Sequence, residues 1–117
     1  MTASNSVDAM KAIEYKPEHT MRIRFGRIKP FRNICAVTGE SEWCNVEIEY
    51  IPTDRVLDIV EYRRWFETTR NRLIEDIAND LFNEIMGINP RFLCVRVFLE
   101  GNPNLTDWCV EINSSEQ

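Results

Sequence analysis

Residues 34–52 read ICAVTGESEWCNVEIEYIP, and the second half of this stretch decides the fold. From Trp43 to Ile51 the side chains alternate, with Cys44, Val46, Ile48 and Tyr50 on one face and Asn45, Glu47 and Glu49 on the other. A two-residue period of this kind belongs to a strand that turns one face to a core and the other to water. Pro52 ends it, because proline has no N–H to give to a ladder. Ahead of the strand, the polar run from Asn33 to Glu42 contains Gly39 and predicts a loop between two strands.

Upstream, Met21, Ile23 and Phe25 alternate with Arg22 and Arg24, which predicts a partner strand beginning at Met21. Residues 1–19 mix Ser, Asn, Asp, Lys, Glu and Pro without a sustained period. They are expected to form a flexible N-terminal segment outside the core, leaving 20–117 as a single domain. Downstream of Pro52, Thr53 or Asp54 is positioned to cap a helix carrying Val56, Ile59, Val60 and Phe66 to about Thr68. A second helix is expected from near Asn71, with the stripe Ile74, Ile77, Leu81 and Ile85, stopping at Gly87 with Pro90 beyond. Alternation returns through Leu93, Val95, Val97 and Leu99, then through Trp108, Val110 and Ile112 after the turn residues Gly101 to Asn104. The order β-β-α-α-β-β predicts an α+β fold, a four-stranded antiparallel sheet covered on one face by two helices. Glu47, Glu49, Arg96 and Glu111 would fall on the opposite face, solvated in a monomer or lining a barrel in an assembly.

A chain of 117 residues and 13.8 kDa has room for one ordinary core. Its net charge of -5 argues against a protein that coats nucleic acid by counterion release. There is no apolar run of membrane-spanning length and no apolar block of a secretion signal near the start, so a cytoplasmic protein without a membrane partner is expected. Cys35, Cys44, Cys94 and Cys109 show no Cys-x-x-Cys spacing and are expected as reduced thiols. With His19 the sole histidine, no zinc-type ligand cluster suggests itself, and no metal is expected.

Cys35 stands out because loops on a rigid scaffold are where catalytic groups concentrate. It is an inert thiol, or it is a nucleophile if positive charge or backbone N–H groups favour its thiolate, with Glu42 as the proton carrier. Glu75 and Asp76 open the second helix, where carboxylates complement the helix dipole. Glu75 has a sharper alternative: its two oxygens can accept from the adjacent ring N–H and exocyclic amine of a guanine-like edge. Two basic groups, Arg22, Arg24, Arg27, Lys29 and Arg32, then Arg63, Arg64, Arg70 and Arg72, are solvated faces or hold the phosphates of a dinucleotide or a tRNA.

The run from Ile34 to Pro52, with the later "IEDIANDLF" and "NPRFLCVRV", resembles the QueF family of 7-cyano-7-deazaguanine reductases over residues 21–113. The resemblance implies the tunnelling fold (T-fold), subunits assembled into a symmetric homo-oligomer, and sites between subunits. It implies that Cys35 attacks the nitrile of 7-cyano-7-deazaguanine to give a covalent thioimide, that Glu42 stands where the family has a proton-shuttling Asp, and that Glu75 holds the deazaguanine edge.

The sequence also departs from that family. Ile74 stands where reductases have a His before the purine-binding Glu. In "DIVEYRRW", Asp58, Arg63 and Trp65 keep the charges and the ring of the nicotinamide-binding motif, while Val60 replaces its first Lys. The family's Arg-Gly-Gly after the third strand is replaced by "EGNPN". These losses resemble the short archaeal QueF-like amidinotransferases, in which ammonia adds to the same thioimide to make the archaeosine amidine on tRNA. Reduction with NADPH to 7-aminomethyl-7-deazaguanine is the first expectation. Amidination of a nucleic-acid-linked base is the alternative, and a purine-binding protein without chemistry is the third.

Overall fold

The computed structural model describes residues 12–26, 30–67, 69–101, 104 and 108–114. β4 (Ser41–Ile51) organises the sheet and keeps the predicted alternation: Cys44, Val46, Ile48 and Tyr50 are all buried on the helix-covered face. It pairs antiparallel with β6 (Phe92–Glu100), from Trp43 opposite Glu100 to Ile51 opposite Phe92. β6 in turn pairs with β7 (Cys109–Asn113), which forms one edge.

Along the other edge of β4 lie two short strands end to end, β2 (Ile23–Phe25) opposite Ile48 to Tyr50 and β3 (Phe31–Ile34) opposite Ser41 to Cys44. The sheet therefore has five strands rather than the expected four. β2 lies in the upstream strand that the alternation from Met21 predicted; the additional strand is β3, which follows Pro30.

Two further expectations are corrected by a separate two-stranded sheet. β1 (Ala12–Glu14) pairs antiparallel with β5 (Arg55–Leu57), and Tyr15 N–H donates to the Asp54 carbonyl at 3.0 Å. Part of the segment set aside up to residue 19 is thus structured, with Ala12 packed against the core, while residues 1–11 lie outside the described residues. Because residues 55–57 are taken up in that pairing, and Leu57 N–H donates to the buried Tyr50 hydroxyl at 3.0 Å, the first helix starts not at Thr53 or Asp54 but at Ile59. This α1 (Ile59–Arg64) is capped by Asp58 and leaves Ile59 and Val60 45% and 54% exposed. Its anchor is Tyr62, stacked on Phe25 with ring centroids 4.9 Å apart and set edge-on to Phe66. Burial pushes the Tyr62 phenol well above its ordinary range.

α2 (Ile74–Met86) buries Ile74, Ile77, Leu81 and Ile85 as the 3.6-residue period predicts, together with Ala78 and Phe82. Each large apolar side chain so buried contributes about 1.5–3 kcal/mol. The helix begins three residues later than expected because the chain at 70–72 runs extended beside β3: Ile34 N–H donates to the Arg70 carbonyl at 2.8 Å and Arg70 N–H to the Arg32 carbonyl at 3.0 Å. It ends at Gly87, and the left-handed residue that turns the chain is Asn89, with φ 58°.

On the opposite sheet face the charges pair across strands. Arg96 lies between Glu111, at 2.8 Å, and Glu47, at 3.7 Å, while Glu49 takes both Arg22 and Arg24. Such half-exposed pairs contribute about 0.2–1 kcal/mol each. Among the described residues, no helix is long and apolar enough to cross a membrane.

Candidate functional site

Cys35 follows β3 directly, at the start of the turn that returns the chain into β4. The turn closes on the cysteine's own backbone: Cys35 N–H donates to the Glu40 carbonyl, and Gly39 N–H donates to the Cys35 carbonyl, both at 2.9 Å. Gly39 has φ 77°, a conformation that carries little cost only without a Cβ. Folding the loop this way turns the Thr38 hydroxyl and then the N–H groups of Thr38 and Val37 toward the partly exposed sulfur. These hydrogen bonds hold its pKa below the ordinary thiol range, against slight burial and the nearby Glu42 charge. Burial, with smaller contributions from Glu42 and Glu100, pushes the Cys44 thiol up to about 12, and burial raises Cys94 as well. The loop cysteine is therefore set apart from these two core thiols.

Glu42 sits on β4 directly opposite Asn33 of β3. Its Oε2 accepts from Asn33 Nδ2 at 2.9 Å. It lines a cavity of about 370 Å³ with Glu40, Ser41, Trp43, Leu99 and Glu100. Antiparallel pairing of β3 with β4 thus places Cys35 and Glu42 at the same end of one hairpin, near enough for the carboxylate charge to act on the thiol.

Asn33 was not singled out from the sequence, yet it ties the site together. Its side chain is completely buried, and besides Glu42 it contacts Arg72: Nδ2 donates to the Arg72 carbonyl at 2.8 Å, and Oδ1 accepts from Arg72 N–H at 3.2 Å. A signal was available, since Asn33 is polar at a position two residues from buried Phe31 on the same strand face. The second half of the short β3, Asn33 and Ile34, falls inside the run expected as a loop.

Glu75 is exposed in the first turn of α2, three residues beyond Arg72, and makes no hydrogen bond or ion pair among the described residues. The Asn33–Arg72 contacts bind the approach to this helix to β3, so the helix start and the Cys35 hairpin are built on neighbouring segments of the chain.

The three residues at nicotinamide-motif positions are spread over different tasks. The Asp58 carboxylate caps α1, accepting from Val60 N–H at 2.9 Å and Glu61 N–H at 3.5 Å. Trp65 is covered by the Arg70 guanidinium and its indole hydrogen-bonds to Glu84, whose carboxyl is pushed up by burial. Arg63 lines a cavity of about 500 Å³ with Phe31, Arg32, Trp43, Phe66 and Glu67. Most of the other arginines are paired: Arg64 with Glu61, Arg72 with Asp80 through two hydrogen bonds, and Arg22 and Arg24 with Glu49. Arg27 and Lys29 lie outside the described residues.

The chain matches no protein-family model and no curated protein sequence. Among solved structures it is similar to the archaeosine synthase QueF-Like in its apo form, with 25% identity and a TM-score of 0.59 over 84% of this chain and 93% of that one. It is also similar to a protein from Vibrio cholerae O1 biovar El Tor assigned as the dihydroneopterin aldolase FolB. That match has 13% identity and a TM-score of 0.59 over 81% of this chain and 97% of that one, and it speaks to the fold alone. Both neighbours have the tunnelling fold, and the antiparallel sheet carrying two helices described above is that fold.

Proposed function

We propose that this chain is a nitrile-converting enzyme that forms a Cys35 thioimide with 7-cyano-7-deazaguanine and resolves it with ammonia to an amidine, acting on the base in its nucleic-acid-linked form. The observation that carries the reading is the hairpin itself, where a thiol whose thiolate is favoured by Thr38 and by two N–H groups shares one end with Glu42. The likeness to an archaeosine synthase supports the amidine as product.

In this reading Glu42 takes the Cys35 proton, and the thiolate attacks the nitrile carbon. A C–S bond forms, one C–N π bond breaks, and Glu42 returns the proton to the nitrile nitrogen, giving the thioimide. Ammonia then adds to the same carbon. As the C–S bond breaks, a proton from the adding nitrogen passes through Glu42 to the leaving sulfur, so the sum is nitrile plus ammonia to amidine with the enzyme unchanged. Glu75 holds the base by accepting from its ring N–H and exocyclic amine.

Reduction by NADPH is the second reading, favoured by the cavity that brings Arg32 and Arg63 onto one concave surface. The remaining residues fit that cofactor poorly. Asp58 is engaged as a helix cap, Trp65 is covered on one face by Arg70, and Val60 brings no charge.

Intact-mass measurement after incubation with 7-cyano-7-deazaguanine tests the shared step, with an adduct expected on the native chain and none on Cys35→Ala. Added ammonium should then release an amidine, from the free base or from tRNA carrying it. Consumption of NADPH with release of an amine would replace amidination by reduction. Absence of any adduct would leave only a purine-binding protein.

A further inference from the structure

Asn33 makes more contacts than a strand residue needs. Both hydrogens of its amide are used, one on the Arg72 carbonyl and one on Glu42 Oε2, while its oxygen accepts from Arg72 N–H. The Arg72 pair takes the amide oxygen and one of the two hydrogens, and it explains how the chain ahead of α2 is held to β3. The bond to Glu42 is different, because a partly exposed carboxylate at that position can be solvated without help. We propose that Asn33 is a positioning residue for Glu42, fixing the carboxylate so that its other oxygen, Oε1, serves the Cys35 thiol and the substrate.

The chemistry of position 42 explains why such a restraint is needed. Glutamate has one more rotatable bond than the aspartate that the resembled family carries, and a misplacement near 1 Å can lower a rate on the order of a hundredfold. A fully buried amide anchored at both ends to backbone is a rigid donor. Holding Oε2 at 2.9 Å removes the freedom that the extra methylene adds and leaves Oε1 without a partner among the described residues. Because the same amide grips Arg72, it also places Glu42 and the helix start bearing Glu75 in one frame. The inference rests on the reading of Glu42 as the proton carrier.

The test is a double-mutant comparison read as the rate of thioimide formation by intact mass. Asn33→Asp keeps the shape and the acceptor for Arg72 N–H but has no amide donor; Asn33→Ala removes the donor to Glu42 without adding charge. Each, when folded by circular dichroism, is expected to slow adduct formation roughly ten- to a hundredfold. The substrate concentration for half-maximal rate should be little changed. Combined with Glu42→Gln, neither should slow the reaction beyond Glu42→Gln alone, because the effect passes through that carboxylate. Multiplied losses in the double variants, or native rates in the folded single variants, would overturn the inference while leaving the nitrile chemistry intact. Unfolding of both single variants would overturn it too, by assigning Asn33 to the fold alone. A native chain that forms no adduct removes the proposed reaction and this inference with it.

Discussion

The Arg70 guanidinium lies over the Trp65 ring, 3.7 Å from its centroid, and also donates to the Trp65 carbonyl. Burial lowers the Arg70 pKa, an effect opposed by Glu84 and Asp80. A nicotinamide ring at Trp65 would have to displace a cation–π contact worth about 0.5–2 kcal/mol. Mixing the chain with NADPH and 7-cyano-7-deazaguanine is therefore expected to leave the nicotinamide absorbance unchanged. If NADPH is consumed, Arg63→Ala should weaken its binding by about 1–3 kcal/mol, the range for a charged hydrogen bond.

Alkylation separates the cysteines by their surroundings. Cys35 should react with iodoacetamide well before Cys44 and Cys94, and its profile should rise below the ordinary thiol pKa of about 8.5. The sign follows from the hydrogen bonds to sulfur, which stabilise the thiolate. Thr38→Val removes the hydroxyl among them and is expected to move the profile to higher pH. Peptide mass mapping at several pH values checks this, and equal labelling of Cys35 and Cys44 in the native chain would remove Cys35 from the mechanism.

Asp58 is expected to report on the helix rather than on a cofactor. Loss of its carboxylate in Asp58→Ala removes the acceptor for Val60 N–H and Glu61 N–H and should cost about 0.5–2 kcal/mol of stability, measured by urea unfolding. Asp58→Asn or Asp58→Ser should recover most of it. A loss of NADPH affinity with unchanged stability would contradict this assignment.

Tyr50 joins β4 to the β1–β5 pair through a single buried bond. Tyr50→Phe leaves the Leu57 N–H without its acceptor, at an expected cost of about 1–3 kcal/mol. Amide exchange at Leu57 should accelerate in the variant, and unchanged exchange and unfolding would show that the bond carries no weight.

Edges of the sheet give the assembly prediction. β7 closes one side and β2 with β3 the other, and natural sheets cover, charge or pair such edges. A symmetric homo-oligomer is expected, and sedimentation at micromolar concentration should show a mass several times 13.8 kDa. A monomer would exclude a site shared between subunits.

What could be read from the sequence were the features with a repeating local pattern. β4 presents four buried side chains at strict alternation, and α2 presents Ile74, Ile77, Leu81 and Ile85 at helical spacing. Both are long enough for one buried face to impose its period on the residues, and Cys35 and Glu42 lie in the polar run read just ahead of the alternation that starts at Trp43. Only the tertiary structure decided the rest. β1 and β5 are three residues long, too short for a period to show, and they pair with each other across more than forty residues of sequence. The apolar Ile59 and Val60 read as core but are exposed, because Tyr62 takes the inward face of α1 and packs against Phe66 just beyond it. Trp65 lost its freedom to Arg70 and Glu84, and Asn33 met Arg72 across 39 residues of sequence. A hydrogen bond between such distant groups leaves no local trace, since its partners are set by how segments pack and not by the residues beside them.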